Sequence, residues 1–135
     1  MDFKELLGTS AGPFEGEATS ERIQAFCRAV GAPDESVAPA TFLTVFRNAE
    51  HELFNQLNVD ISRVLHTEQE FRLESPLEAG DRLIYTATLT RALEKRGGGG
   101  RLQFLTFETY FRAKRGSTSV PLGTATTSVV IRAAA

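Results

Sequence analysis

The amino-acid sequence predicts an α+β fold in which an antiparallel sheet wraps around one long helix. Apolar residues recur at spacings of three and four between residues 46 and 57, which indicates a helix with one apolar face. From residue 65 onward, apolar and polar residues alternate, which indicates strands. Such a sheet must bury an apolar face, and this helix is the only predicted element large enough to cover it.

The composition indicates one globular domain spanning residues 1–135. Fifteen basic and seventeen acidic side chains give a formal charge of −2 with no block of like charges. Nucleic acid is therefore not an expected partner, because a polyanion requires a concentrated basic face. No stretch approaches the roughly 18 apolar residues of a membrane span, and no targeting segment is visible. The single cysteine, Cys27, suits a reducing compartment, so we expect a cytoplasmic protein.

Two helices are predicted in the amino-terminal half. Ser20 can cap the first helix and Gly31 can end it. Its apolar face is formed by Ile23, Phe26, Cys27 and Val30. Residues 41–46 are β-branched and aromatic, which favours a short strand or the passage from a strand into a helix. The second helix covers about residues 48–58 and is the longest one predicted.

The carboxy-terminal half is predicted to form long antiparallel strands. In the first strand, Leu65, Thr67, Gln69, Phe71 and Leu73 are predicted to face inward and His66, Glu68, Glu70 and Arg72 outward. The next strand repeats the alternation at Leu83, Tyr85, Ala87 and Leu89. Four glycines, 97–100, predict a hairpin tip. Residues 102–113, predicted to be covered on both faces, and 120–132 complete the sheet. Its unpaired edges predict a homodimer or a similar partner.

Three local patterns occur in order along the chain. They are Pro-Ala-Thr-Phe at 39–42, Leu-His-Thr-Glu-Gln-Glu-Phe at 65–71 and Pro-Leu-Glu-Ala-Gly-Asp-Arg-Leu at 76–83. Together they resemble the hotdog-fold domain found as the amino-terminal half of MaoC-like and fungal fatty-acid-synthase-like dehydratases. They also resemble the non-catalytic subunit of mycobacterial (3R)-hydroxyacyl dehydratases. The resemblance covers about residues 14–132, where we expect the core.

The resemblance implies a hotdog fold, with pairing into a double-hotdog homodimer or a heterodimer with a MaoC-type subunit. It also implies binding of acyl thioesters of coenzyme A or acyl carrier protein, and no cofactor or metal is expected. The patterns assign Gln69, Phe42 and Thr41 to substrate binding. The function expected from the resemblance is therefore that of a dehydratase-type protein in fatty acid metabolism.

Dehydration of a 3-hydroxyacyl thioester needs a base for the C2 proton and an acid for the leaving hydroxyl. Active MaoC-like domains supply an Asp and a His from a Gly-Asp-x-Asn-Pro-x-x-His type of segment. The corresponding stretch here, residues 30–38, contains Asp34 but no histidine. A carboxylate without an imidazole partner is ill suited to both proton transfers near neutral pH. We therefore expect the chain by itself to lack efficient dehydratase activity and to act as a degenerate or auxiliary subunit.

His66 is the second candidate catalytic residue, because it matches the Leu-His-x-x-Gln pattern of the family. Its imidazole could donate a hydrogen bond to a thioester or act as a base. The alternative, which we favour, is a structural hydrogen bond across the sheet or the dimer seam.

The central helix offers two further acids, Glu50 and Glu52, on either side of His51. A zinc helix is excluded, because Asn55 replaces the second histidine of the His-Glu-x-x-His motif. Some hotdog thioesterases keep a carboxylate base or nucleophile on this helix, so an acyl-CoA thioesterase that uses Glu50 or Glu52 is one alternative function. A non-enzymatic, dimerising interaction module is the other.

Overall fold

A computed structural model describes residues 2–132; Met1 and residues 133–135 of the predicted domain lie outside the described residues. The main elements in chain order are β1 (Ser10–Ala18), α1 (Ser20–Val30), α2 (Asn48–Gln56), β2 (Val64–Leu73), β3 (Asp81–Gly97), β4 (Gly100–Arg115) and β5 (Thr118–Arg132). Short 3₁₀ helices occur at Phe3–Leu6, Ala40–Val45 and Ile61–Arg63.

The strands form one antiparallel sheet in the order β1-β3-β4-β5-β2. Helix α2 packs against β1, β3 and β4, and the Phe54 ring meets Phe107 edge-on with the ring centroids 4.8 Å apart. The inner face of the sheet is fully buried at the predicted positions Leu83, Tyr85, Ala87 and Leu89. Each large apolar side chain buried here contributes about 1.5–3 kcal/mol. The predicted sheet around a central helix is confirmed.

The two helices differ from the prediction in their ends and lengths. Helix α2 is central but has 9 residues, whereas α1 has 11, so the prediction that the central helix is the longest is wrong. The amino-terminal cap of α1 is Thr19, whose hydroxyl accepts the Arg22 N–H at 3.2 Å, and not Ser20. Gly31 ends α1 as predicted, in the left-handed region at φ 73°. Val30 is exposed and does not belong to the buried face.

The amino-terminal strand lies earlier in the chain than predicted. Residues 41–46 fall largely within a 3₁₀ helix, because Phe42, Leu43 and Phe46 are all buried at the three- and four-residue spacing of a helical turn. The strand is β1, which buries Ala11 and Ala18 against β3. The buried core also includes Phe3, so it reaches beyond the expected residues 14–132.

A bulge in β2 reverses the predicted alternation of its first half. Thr67 is an extra residue between His66, paired with Val129, and Glu68, paired with Ser128. Because a bulge of one residue switches the faces of a strand, Leu65 faces outward and is 47% exposed. His66 shares the inner face with Gln69. The predicted inward orientation of Leu65 and Thr67, and the outward one of His66, are therefore wrong.

The hairpin between β3 and β4 turns at Gly98 and Gly99, within the predicted glycine run. On β4, Leu105, Phe107 and Phe111 are buried on the inner face as predicted. On the outer face Tyr110 is 41% exposed. The expectation that both faces of this strand are covered therefore does not hold for the described chain.

Candidate functional site

A cavity of about 70 Å³ lies between the Ala40–Val45 3₁₀ helix, α2 and the inner face of the sheet. Its polar lining comes from Thr44, Arg47, Glu50, His66, Gln69, Thr109 and Thr127. Its apolar lining comes from Leu43, Phe46, Phe71, Phe111 and Ala125. An apolar pocket with a few convergent polar groups is the usual form of a small-molecule site. This cavity is the candidate site.

Glu50 is the buried centre of the site, with only 5% of the residue exposed. One of its carboxylate oxygens accepts a hydrogen bond from the Arg47 guanidinium, which is partly exposed at the helix start. The other, Oε2, lies 3.1 Å from the Thr127 hydroxyl of β5. Both oxygens are engaged, as a buried carboxylate requires. Glu50 is thereby fixed in place, and the Arg47 guanidinium balances its charge.

The polar chain continues from Thr127 to β2. The Gln69 amide lies 2.9 Å from the same Thr127 hydroxyl. The Gln69 atom in this contact is the amide oxygen Oε1, which only accepts. The single Thr127 hydroxyl proton is therefore shared between Glu50 Oε2 and Gln69 Oε1 and serves one of them at a time. Gln69 faces inward as predicted and lines the cavity, and its assignment to substrate binding stays a prediction.

The amino terminus of α2 lies against a buried tyrosine. Tyr85 is 2% exposed, and burial raises the pKa of its phenol, although the Asn48 backbone N–H and the nearby Arg22 charge act in the opposite direction. The phenol therefore stays neutral at pH 7.

His66 lies at the mouth of the cavity. Its Nε2 is 3.0 Å from the backbone carbonyl of Glu68, across the bulge. A carbonyl only accepts, so this nitrogen carries a proton and donates. The bond is local to β2, and its contribution to substrate chemistry stays a prediction.

Asp34 lies on the exposed loop after α1 and does not line the cavity. Its Oδ1 accepts hydrogen bonds from the hydroxyl and then the backbone N–H of Ser36, and these bonds lower the pKa of the Asp34 carboxyl. The loop is tied to α1, because Arg28 pairs with Glu35 at 2.8 Å. Among the described residues, neither histidine bonds to Asp34, so the structure does not assemble an acid–base pair from it.

The other predicted residues occupy different surroundings. Phe42 is fully buried between the rings of Phe26 and Phe46, with the ring centroids 5.5 and 5.6 Å away. Thr41 is exposed, and its carbonyl accepts the Thr44 hydroxyl. Neither lines the cavity, and their assignment to substrate binding stays a prediction. Glu52 is exposed, which distinguishes it from Glu50.

Arg47 and Thr127 are site residues that the sequence analysis did not identify. The signal for Arg47 was available, because it directly precedes the predicted helix and lies three residues before Glu50, a spacing that brings two side chains close together. Thr127 gave no such signal, since it is one of several threonines in β5. No metal-binding group of three or more His, Cys, Asp or Glu occurs within residues 2–132. No helix in this range has the length and apolar character to cross a membrane.

Solved structures share the fold over almost the whole chain. The HadBC (3R)-hydroxyacyl-ACP dehydratase complex from Mycobacterium tuberculosis aligns with a TM-score of 0.72 and 20% identity, covering 92% of this chain and 96% of that one. A MaoC-like dehydratase aligns at 0.72 with 23% identity, covering 95% and 42%. The ChsH1–ChsH2 complex from Mycobacterium tuberculosis aligns at 0.67 with 14% identity, covering 90% and 88%. The fold is therefore the hotdog fold, of the type found in MaoC-like dehydratases.

Sequence comparison gives the family. The model of the FAS1-like dehydratase domain region matches residues 5–120, and the chain belongs to this family. A UPF0336 protein from Saccharopolyspora erythraea is 34% identical over 111 residues, covering 80% of this chain and 66% of that protein. Another from Mycolicibacterium paratuberculosis is 38% identical over 72 residues, covering 51% of this chain. This match spans 41% of the length of the Mycolicibacterium relative. The sequence resemblance to dehydratase hotdog domains is confirmed.

Proposed function

We propose that the chain binds an acyl thioester of coenzyme A or acyl carrier protein and serves as the auxiliary hotdog subunit beside a MaoC-type subunit. In this assembly the partner supplies the acid and the base of a 3-hydroxyacyl dehydratase. The proposal rests on which acidic side chains line the cavity and on their hydrogen-bond partners. Among the described residues, the one carboxylate in the cavity wall is Glu50, which is engaged by Arg47 and Thr127, while Asp34 lies outside the cavity.

Proton transfer requires a group with a free lone pair or an available proton. Glu50 is held by Arg47 and Thr127 and the proton on His66 Nε2 is held by the Glu68 carbonyl, but lone pairs remain on both side chains. What is missing is the acid–base pair of the family, because Asp34 lies outside the cavity and, within residues 2–132, neither histidine bonds to it. Binding without efficient turnover is the function that fits these constraints.

The free edge of β2 is the proposed partner surface. Within residues 2–132, strand β2 pairs only with β5, whereas the other sheet edge, β1, contains Pro13 and a register shift between Ala11 and Phe14. Proline lacks the N–H that sheet pairing needs, so β2 is the better edge for a second subunit. His66 and Gln69 lie on β2, and a partner there would close the mouth of the cavity. The names of the HadBC and ChsH1–ChsH2 complexes support a heteromeric pairing of this kind.

The test is co-expression with a MaoC-type subunit that carries both Asp and His. We expect the two chains to co-purify at equal stoichiometry and an acyl-coenzyme A to raise the melting temperature of the complex. If the chain does not co-purify with the partner and no acyl-coenzyme A stabilises it, the result would instead support a non-enzymatic dimerising module. The proposed compartment is the cytoplasm, where the free thiol of Cys27 is compatible with the reducing conditions.

A thioesterase is the second candidate, and the position of Glu50 in the cavity wall favours it. It requires the Arg47 pair to open so that Glu50 can act as a base or nucleophile. Thiol release from acyl-coenzyme A that disappears in Glu50→Gln but persists in Glu52→Gln would establish this activity. Absence of release across chain lengths would remove it.

A further inference from the structure

The inner face of the sheet has two small side chains in a row where the candidate cavity lies. Ala125 of β5 pairs with Phe71 of β2 on one side and with Thr109 of β4 on the other. Ala125 and Thr109 leave space between the rings of Phe71 and Phe111, and all four residues line the cavity. The sheet therefore forms the floor of the cavity, and Thr109 is part of that floor.

The hydroxyl of Thr109 is a buried polar group without a protein partner. Thr109 is 4% exposed, and within residues 2–132 its hydroxyl forms no hydrogen bond. In the same range, the only fully enclosed side-chain polar atom that lacks a partner is Arg101 Nε, so the Thr109 hydroxyl is open to the cavity. Buried hydroxyls normally have a hydrogen-bond partner, because burial without one costs free energy. A ligand in the cavity can supply this partner.

The amide of Gln69 adds further unpaired groups to the same space. Its Oε1 shares the single Thr127 hydroxyl proton with Glu50 Oε2, so one of these two acceptors is always without it. Its NH₂ group forms no hydrogen bond within the described part of the chain. The cavity wall therefore holds donors at Gln69 and Thr109 and an acceptor beside Thr127 that are available to a ligand.

These polar groups are neighbours on the inner face. Gln69 pairs directly with Thr127, and Thr109, which pairs with Ala125, is the diagonal neighbour of Thr127. Cβ atoms of directly opposite residues lie about 4.5–5.5 Å apart, and diagonal neighbours about 7–8 Å. A single hydroxyl group placed above Ala125 is therefore close to all three side chains.

The cavity is too small and too polar for a long hydrocarbon chain. Its volume is about 70 Å³, whereas an apolar cavity that holds one benzene ring has about 150 Å³. It therefore accommodates about three or four heavy atoms. Arg47 and Glu50 balance each other's charge in its wall, so a neutral polar group suits the cavity better than an ion. Hydrocarbon in this position would leave the polar groups unpaired.

We propose that the cavity selects a short acyl group that carries a hydroxyl, and that Thr109 and Gln69 recognise this hydroxyl. The inference rests on the proposed function, because it names the acyl group of the thioester that the chain binds. The hydroxyl of the ligand gives both side chains a hydrogen-bond partner, whereas an unsubstituted chain leaves both without one. Thr109 and Gln69 are therefore specificity-determining residues.

The test is isothermal titration calorimetry of the full chain with 3-hydroxybutyryl-, butyryl- and decanoyl-coenzyme A. We expect 3-hydroxybutyryl-coenzyme A to bind about tenfold more tightly than butyryl-coenzyme A. Decanoyl-coenzyme A should bind no more tightly than butyryl-coenzyme A, although a chain that entered an apolar tunnel would gain affinity with its length. Amide chemical shifts induced by 3-hydroxybutyryl-coenzyme A should be largest around Thr109 and Gln69.

Variants of the two residues provide the matched comparison. Thr109→Val removes the hydroxyl and keeps the shape of the side chain, so the preference for the hydroxylated ligand should fall below about threefold. Thr109→Ser retains a hydroxyl and should retain the preference. Gln69→Leu, on another strand, should reduce it independently. Thr124→Val makes the same change at a residue that pairs with Tyr110 on the outer face, and should leave both affinities unchanged.

The preference is a ratio of two affinities measured on one protein, so partial unfolding does not alter it. Equal affinity for the hydroxylated and unsubstituted four-carbon ligands, tighter binding of decanoyl-coenzyme A, or an unchanged preference in Thr109→Val and Gln69→Leu would overturn this inference and leave thioester binding in place. Binding of none of the three thioesters would overturn the proposed function together with it.

Discussion

Asp81, at the start of β3, joins the turn after β2 to the end of β4. Its carboxylate accepts two hydrogen bonds from Arg115, at 2.7 and 2.9 Å, and one from the Glu78 backbone N–H at 2.8 Å. Arg115 also donates to the Pro76 carbonyl. The pattern at residues 76–83 that contributed to the family resemblance is therefore a structural clamp. It carries no information about the chemistry of the cavity.

Asp81→Asn should destabilise the protein by about 2–3 kcal/mol, since charge-assisted hydrogen bonds of a buried group are lost. The measurement is urea unfolding followed by circular dichroism. Asp60→Asn is the control, because Asp60 is exposed and bonds within its own turn. Equal losses of unfolding free energy in the two variants would show that Asp81 contributes no more to stability than the exposed Asp60.

The same carboxyl makes stability depend on pH. Burial opposes ionisation of Asp81, but the hydrogen bonds from Arg115 and Glu78, together with the Arg115 charge, outweigh it and lower the pKa of the carboxyl. The stabilisation is therefore fully present above the unfolded pKa of about 3.9 and is lost as the pH falls through the lower folded value.

Unfolding free energies measured between neutral pH and pH 2 should decrease below about pH 4. The Asp81→Asn variant should show a flatter profile over the same range, since it has no carboxyl to protonate at this position. Identical profiles in the two proteins would rule out Asp81 as a source of the acid sensitivity.

At the residue scale the sequence identified only part of the site. Gln69 and Glu50 were predicted and both line the cavity. His66 was assigned to the wrong face, because a single-residue bulge has no signature in a run that alternates well on both sides of it. Asp34 was selected by its position in a family pattern, whereas its hydrogen bonds to Ser36 are set by the local turn.

At the scale of elements, β1 packs directly against the aromatic cluster at the start of α2. A Cβ atom at Gly16 would lie 2.6 Å from the Phe46 ring. That ring has little room to move, since it contacts Phe42, Tyr85 and the Arg22 guanidinium. Glycine is therefore required at this position for close approach of strand and helix.

Gly16→Ala should lower the free energy of unfolding by about 1–3 kcal/mol through overpacking. Gly99→Ala is the matched control, because a Cβ atom at Gly99 meets nothing within 4 Å. Thermal unfolding of both variants distinguishes them. Equal stability of the Gly16 variant and the unmodified protein would mean that β1 is not held against Phe46.

The sequence predicted those elements in which apolar residues recur with a regular spacing. Strands β3, β4 and β5 are long and alternate clearly, and α2 has an apolar face of regular spacing. Strand β1 was missed because its residues include glycine, proline and glutamate and no β-branched side chain. It becomes a strand through pairing with β3, a tertiary effect that local sequence does not encode.

At the scale of the whole molecule, the sheet has two faces and two edges with different roles. The inner face holds the core and the candidate cavity, and β2 is the proposed edge for a second subunit. The antiparallel sheet around a helix followed from the sequence, and so did the family.

The central claim is that this chain contributes to a dehydratase without performing the proton transfers itself. Its most direct test is the hydration of crotonyl-coenzyme A, measured for the purified chain, for a MaoC-type subunit with intact Asp and His, and for the two together. The account predicts background turnover by the chain alone and a complex that is faster than the MaoC-type subunit alone. Turnover by the chain alone at the rate of the complex would contradict it.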